Sequence, residues 1–406
     1  MKVFYTAKNY SGQTKSGELE VKNERDLAAQ LRAENFVLTS FKELESEKTG
    51  EVKVKFFDRF VRISLTDKLM LTRNLSVMVS SGLTISRAIK NISLQTKKKR
   101  FTLILEDIFN DVQGGKTLAD GLAKYPGIFN DLFVNMIRVG ESSGNLEEVL
   151  DILATQLEKE HELMSKIKGA MTYPAVILIA MIGIAILMLT YILPKLTGVF
   201  TDMHVELPAT TRFIIAISDA LKKHSFAVAA GFIMTAFFSK IFLATSVGKK
   251  TIGFFAINLP VIKNIVKKVN CARFARIYSS LLKSGISAVE ALRIISRTLT
   301  NYYYKNAISD GVASIQKGIN LSDIIAENPK IFPVLVSQMI RVGEETGKTE
   351  TVLLKLAEFY EEEVSQFSKN ISSIIEPFLM ILIGSAVGFF AISMLQPMYS
   401  IMDNIK

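Results

Sequence analysis

Met136 to Gly144 reads MIRVGESSG, and Met339 to Gly347 reads MIRVGEETG. The two stretches begin at 136 and 339, an offset of 203 residues, and the offset holds far beyond them. It pairs Arg73 with Arg276, Gly82 with Gly285, Gly115 with Gly318, and Pro126 with Pro329. It also pairs Phe129 with Phe332, Glu158 with Glu361, Pro174 with Pro377, and Pro194 with Pro397, without a gap. A duplicated unit therefore governs the architecture.

Inside each copy apolar residues recur at helical spacing, as in Leu71 to Gly82, LTRNLSVMVSSG, with glycine where a helix would end. About six short helices per copy are expected. Thr117 with Asp120, and Asn320 with Asp323, read as helix caps with an acid in the first turn.

Three windows are apolar enough for the roughly 17–25 residues of helix that cross a bilayer. They are expected over 173–194, 224–247 and 375–397; Ala175 to Leu193 and Phe378 to Leu395 are free of charge, and the middle window holds Lys240, near enough to its end to snorkel. Lys159, Lys166 and Lys168 precede the first span, and Lys249, Lys250, Lys263, Lys267 and Lys268 follow the second. The positive-inside rule then puts the N-terminus and both repeats in the cytoplasm. The duplication agrees, since two crossings between equivalent domains return the chain to the same side.

The expected fold is mainly α, an integral membrane protein with two duplicated cytoplasmic six-helix bundles, three transmembrane helices and a small N-terminal αβ module. Residues 1–45 form the αβ module, read from VFYTA, a turn at Gly12, GELEV, a helix near 23–35 and VLTSF. A linker follows over 46–65, then the first bundle over 66–172 and the first span. An extracytoplasmic loop covers 195–223, the second bundle 248–374, and an extracytoplasmic tail 398–406.

Composition narrows the function. Lysine and arginine exceed aspartate and glutamate by 49 to 39, but the excess lies beside the spans, which accounts for the net charge of +10 by topology and argues against nucleic acid. A single cysteine, Cys271, excludes a disulfide framework, and the opening residues have no apolar core of a secretory signal. His161, His204 and His224 lack the close spacing of a zinc site, so no metal or cofactor is expected. No nucleophile elbow or cysteine–histidine pairing is visible, so no catalytic residue is assigned. Transport is disfavoured because Lys240 is the one charged residue within the apolar stretches Ala175–Leu193, Ser225–Val247 and Phe378–Leu395.

Gln113 to Thr117, QGGKT, resembles the end of a phosphate loop, but Asn110 stands where the first glycine belongs and the context is helical. It reads as a turn between helices. The acidic run Glu361, Glu362, Glu363, with Glu158, Glu160 and Glu162 in the first copy, reads as a solvated helix face. The twin R-V-G-E-x-x-G motif supplies the candidate site: Arg138, Gly140, Glu141 and Gly144, with Arg341, Gly343, Glu344 and Gly347. One reading is a tight helix–helix turn in which arginine pairs with glutamate; the other is a partner contact carried by a rigid bundle. Gly384 and Gly388 have the G-x-x-x-G spacing that lets helices pack closely, so a homo-oligomer is expected.

With the duplication, spans and motifs in place, the chain resembles the type II secretion F / type IV pilus assembly platform family, PilC-like and GspF-like. The resemblance covers essentially the full length. It rests on F-Y-x-A-x-x-x-x-G from Phe4 to Gly12, on G-x-x-x-x-x-A-I/L from Gly82 to Ile89 and Gly285 to Leu292, and on the twin G-E-x-x-G turns. It implies a bacterial inner-membrane platform that couples a cytoplasmic hexameric ATPase to pilin extraction and polymerisation. The implied partners are that ATPase, pilin or pseudopilin subunits, other inner-membrane assembly proteins and membrane lipid. Type II secretion, type IV pilus and competence pseudopilus all fit.

Overall fold

The computed structural model describes residues 2–9, 14–20, 36–44, 62–195 and 208–404. The N-terminal residues and the helical body are separate compact units. In the first, β1 (Lys2–Asn9) pairs antiparallel with β2 (Thr14–Glu20) and with β3 (Phe36–Leu44), giving the order β2-β1-β3 with a register shift between Thr6 and Ala7. The helix expected near 23–35, the turn at Gly12 and most of the expected linker lie outside the described residues.

The first bundle has six helices, α1 (Leu65–Ser80), α2 (Ile85–Gln95), α3 (Lys99–Gln113), α4 (Leu118–Ala123), α5 (Asp131–Ser143) and α6 (Leu146–Leu187). Between α6 and the second bundle stand α7 (Ala209–Lys223), α8 (Ser225–Ala244) and α9 (Ser246–Asn258). The second bundle is α10 (Pro260–Lys283), α11 (Ala288–Thr298), α12 (Tyr302–Ile315), α13 (Leu321–Ala326), α14 (Val334–Thr346) and α15 (Thr349–Asn404). Moved by 203 residues, the bounds of α2, α4 and α5 fall on those of α11, α13 and α14.

Local chemistry sets these bounds. At the start of α1 the Ser64 hydroxyl accepts from the Asp67 amide at 3.2 Å, and the Asp67 carboxylate accepts from the Ser64 amide at 2.6 Å. The second copy has Lys267 and Asn270 at those places, and its helix runs back to Pro260. Helix ends also repeat. Gly82 and Gly285 are left-handed, and the residues after them donate five residues back, Leu83 to the Met78 carbonyl and Ile286 to that of Leu281, both at 3.0 Å.

The buried apolar residues of the two bundles join in one cluster, to which each bundle contributes matching positions. Leu71, Leu105, Phe129, Ile137 and Leu150 are buried in the first, and Phe274, Ile308, Phe332, Ile340 and Leu353 stand at the same five places in the second. The second core is more aromatic, with Tyr304 and Phe274 both edge-on to Phe332 at 5.0 and 5.7 Å.

Among the described residues, three helices are long and apolar enough to cross a membrane. The helix holding the first runs from Leu146 to Lys195, passes through Pro174 and includes a π-turn at Met188–Ile192. The third candidate span lies within α15, which runs through Pro377. Bundle and span are thus one continuous helix in both copies, where the sequence set them apart at residues 172 and 374. The extracytoplasmic tail expected over 398–406 continues as α15 to Asn404.

The loop expected over 195–223 contains α7, whose Thr211, Ile214 and Ser218 form a buried stripe at helical spacing. Thr211 donates to the Ser393 carbonyl at 2.6 Å and Ser218 to that of Leu189 at 2.5 Å, so α7 ties the far ends of the first and third spans together.

Candidate functional site

The twin motif sits where α5 turns into α6, and again where α14 turns into α15. Gly144 (φ +72°) and Gly347 (φ +67°) are the left-handed caps of α5 and α14. Gly140 and Gly343 lie inside those helices rather than in the turns. A Cβ at Gly140 would meet the Val149 Cβ at 3.0 Å and the Leu146 Cα at 3.1 Å; at Gly343 it would meet the Thr349 Cα at 2.8 Å. Both glycines let the motif helix lie directly against the following long helix.

The arginine does not pair with the glutamate of its own motif. Glu141 turns inward, accepting from the Leu118 amide at 2.6 Å and the Ala119 amide at 2.9 Å. Glu344 accepts in the same way from the Leu321 amide at 2.7 Å and the Ser322 amide at 3.3 Å. Each carboxylate thus satisfies the free amides at the N-terminus of a six-residue helix and opposes its dipole. The arginine turns outward, Arg138 to Asp120 at 3.0 Å and Arg341 to Asp323 at 2.7 Å, both pairs exposed. Hydrogen bonds from Thr117 and then Arg138 hold the Asp120 carboxyl below its ordinary pKa. Asp120 and Asp323 read in the sequence as first-turn acids behind the caps Thr117 and Asn320, and their common distance of 18 residues from the arginines was the available sign of pairing.

The acidic run is a set of ion pairs rather than a freely solvated face. Glu158 pairs with Arg73 at 3.1 Å, Glu361 with Arg276 at 2.7 Å, Glu160 with Arg273 at 2.5 Å and Glu363 with Lys268 at 2.5 Å. The first two join columns of the repeat, with 85 residues between partners in both copies. Among the described residues, no three histidine, cysteine, aspartate or glutamate side chains are placed to hold a metal ion.

The QGGKT stretch is a helix-connecting turn. Gly115 is left-handed, and the amides of Gly114, Gly115 and Lys116 donate to the carbonyls of Asn110, Val112 and Asp111, so none of these amides faces a phosphate. Lys116 pairs with Asp111 at 2.7 Å, and Lys124 pairs with both Asp111 and Asp107. The hydroxyl of Tyr125 donates to Asp107 at 2.9 Å, and burial first, then that bond, pushes it up to about 12.

The duplication seen in these contacts is matched by the comparison with known families. The model of the family described as type II secretion system, protein F, matches residues 71–194 and again 274–397, two segments set 203 residues apart. The chain belongs to that family. A type IV pilus assembly protein PilC of Thermus thermophilus is 35% identical over 402 residues, covering 99% of this chain and 98% of the relative. The type II secretion system protein F of Vibrio cholerae is 29% identical over 99% of this chain and 98% of the relative. A PilC of Pseudomonas aeruginosa is 32% identical over 84% of this chain and 91% of that protein. For this member of the protein F family, the matched segments take in the corner around α5 in one copy and that around α14 in the other.

Proposed function

We propose that this protein is the bacterial inner-membrane platform of a type IV pilus or a type II secretion pseudopilus. Its bundles stand on the cytoplasmic face, engage a hexameric assembly ATPase, and pass movement to pilin or pseudopilin subunits being drawn from the bilayer. The platform has no reaction of its own; the ATPase supplies the energy.

The observation that carries this reading is the continuity of α6 and α15. Leu150 and Leu153 of α6, and Leu353 and Leu356 of α15, are buried in their bundles, and the same helices continue into the first and third candidate spans. A push on either bundle therefore displaces a helix at membrane depth without an intervening loop. The lysine-rich flanks support the orientation.

Within each corner the glycines and the glutamate hold the helices together, which leaves the outward arginine for contact: Arg138 with its partner Asp120, and Arg341 with Asp323. An exposed ion pair contributes only about 0–1 kcal/mol to stability, so it can be removed without unfolding the bundle. The test is co-purification of the full chain in mild detergent with its cognate ATPase, with and without Arg138→Ala and Arg341→Ala together. Membrane insertion is expected to persist while ATPase retention falls about tenfold. Unchanged retention would remove the arginines from the contact surface, and failure of the unsubstituted chain to associate under any nucleotide condition would overturn the platform reading.

A further inference from the structure

The second candidate span, Phe226–Ala244, ends in a corner rather than a loop. The Thr245 hydroxyl donates to the Phe242 carbonyl at 2.6 Å and accepts from the Gly248 amide at 3.1 Å, so one side chain closes α8 and opens α9. A Cβ at Gly248 would run into the Phe242 carbonyl. The chain therefore turns sharply where α8 ends, and α9 begins two residues beyond the span.

One side of α9 holds the second bundle. Gly253 lies against Tyr303 of α12, where a Cβ would meet two ring carbons at 3.2 and 3.3 Å, and Ile257, one turn on, packs half-buried on the core. The opposite side is bare. At about 100° per residue, Phe254, Val247, Thr251, Phe255 and Ile252 sweep an arc of about 160° centred opposite Gly253. Its four apolar members are 45–65% exposed, a contiguous surface that water does not favour. Lys249 and Lys250 border the arc on its two sides, where their stems can lie along it.

Charge points the same way. No aspartate or glutamate occurs between Asp219 and Glu290. Farther along α10, Lys268 pairs with Glu363 and Arg273 with Glu160, but among the described residues no carboxylate pairs with Lys249 or Lys250. Length adds a constraint. Directed straight out of the bilayer, α9 would carry Phe255 about 14 Å from its own start, past a headgroup layer of about 6 Å and into water. Laid along the surface, it keeps the whole apolar arc at headgroup depth.

We infer that α9 is an interfacial helix lying on the leaflet that faces the bundles. Val247, Ile252, Phe254 and Phe255 enter the upper acyl chains, and Lys249 and Lys250 meet the phosphates of anionic phospholipids. The occupant is lipid because Thr245 alone separates α9 from a bilayer-crossing helix, and the bare arc continues that apolar surface. Through Gly253 and Ile257 the same helix ties the base of the second bundle to the leaflet. The inference needs only that α8 crosses the bilayer and does not depend on the platform reading.

The test places a nitroxide on Phe255→Cys, and separately on Ile252→Cys, in the full chain reconstituted into bilayer discs of phosphatidylcholine with or without phosphatidylglycerol. The native Cys271 is fully buried and stays unlabelled. Collision with oxygen, which dissolves in acyl chains, is expected to exceed collision with a water-soluble nickel chelate at both sites. The reverse is expected at Glu345→Cys, an exposed place near the end of α14. Phosphatidylglycerol should lower nickel collision at both sites about fivefold, and Lys249→Glu with Lys250→Glu should remove that gain while the Glu345→Cys spectrum stays unchanged. Nickel access equal to that at Glu345→Cys would put α9 in water, and shielding from oxygen and nickel alike would show a protein covering it. Either result, or indifference to phosphatidylglycerol, overturns the inference.

Discussion

The two bundles share their helix bounds, glycine caps and ion pairs, yet at one contact they reverse roles. In the first, Ile108 of α3 packs against Gly121 of α4, where a Cβ would meet the Ile108 side chain at 3.2 Å. In the second, the same two places hold Gly311 and Ile324, and a Cβ at Gly311 would meet Ile324 at 2.7 Å. The large and the small residue have changed helices while the contact between those helices was kept. Close packing constrains the sum of volumes across a contact, not the residue at either place.

The largest expected effect breaks that exchange. Ile108→Gly should destabilise the first bundle by about 4 kcal/mol, from the cavity and the helical glycine together. Adding Gly121→Ile, which recreates the second bundle's arrangement, should recover about 2 kcal/mol of it. Hydrogen exchange localised to α3 and α4 reads both. A double variant no more stable than the sum of its singles would show that the exchange is not compensatory.

A second comparison concerns ion pairs that match in sequence but not in burial. Arg276 and Glu361 are joined by two hydrogen bonds of 2.7 and 2.8 Å with side chains 9% and 18% exposed, whereas Arg73 and Glu158 share one bond at 54% and 44%. Arg276→Ala should cost about 3 kcal/mol, since it leaves Glu361 without its arginine in a largely buried site. Arg73→Ala should cost less than about 1 kcal/mol. Thermal unfolding of the two variants in the same detergent would separate them, and equal losses would contradict the burial argument.

The smallest effect depends on pH. Hydrogen bonds from Lys116 and Lys124 hold the Asp111 carboxyl below its ordinary pKa. A depressed carboxylate contributes stability that is present above its unfolded pKa and disappears as the pH falls through the folded value. The turn at Gly115 should therefore open more readily in acid below the ordinary carboxylate range. The second bundle has Ser314, Ile319 and Glu327 in place of Asp111, Lys116 and Lys124, so its turn at Gly318 should change less. Hydrogen exchange at the two turns between neutral and acid pH makes the comparison.

Much of this was legible in sequence because it is local or repeated. Gly82, Gly115 and Gly144 mark left-handed helix ends through their own backbone freedom, and the constant offset locates their counterparts at once. The two strong spans declare themselves by unbroken apolar length. The helix α7 was missed because residues 195–223 read as a loop between two spans, although its stripe of Thr211, Ile214 and Ser218 was present. Within the motif, Arg138 and Glu141 lie three residues apart on one helix, and spacing alone favoured pairing them. The fold gives each a different partner because free amides at the start of α4 compete for the carboxylate.

By itself the sequence determined that the protein is a duplicated helical membrane protein, since periodicity, capping and hydropathy act over a few residues and are written twice. Only the tertiary structure decided how the copies are used. Ser280 of α10 meets Gln156 of α6 while their counterparts in the repeat, Val77 and Phe359, stay exposed, a difference set by which faces meet across more than a hundred residues of chain. Propensity and pattern do not encode that choice; the packing of whole helices does.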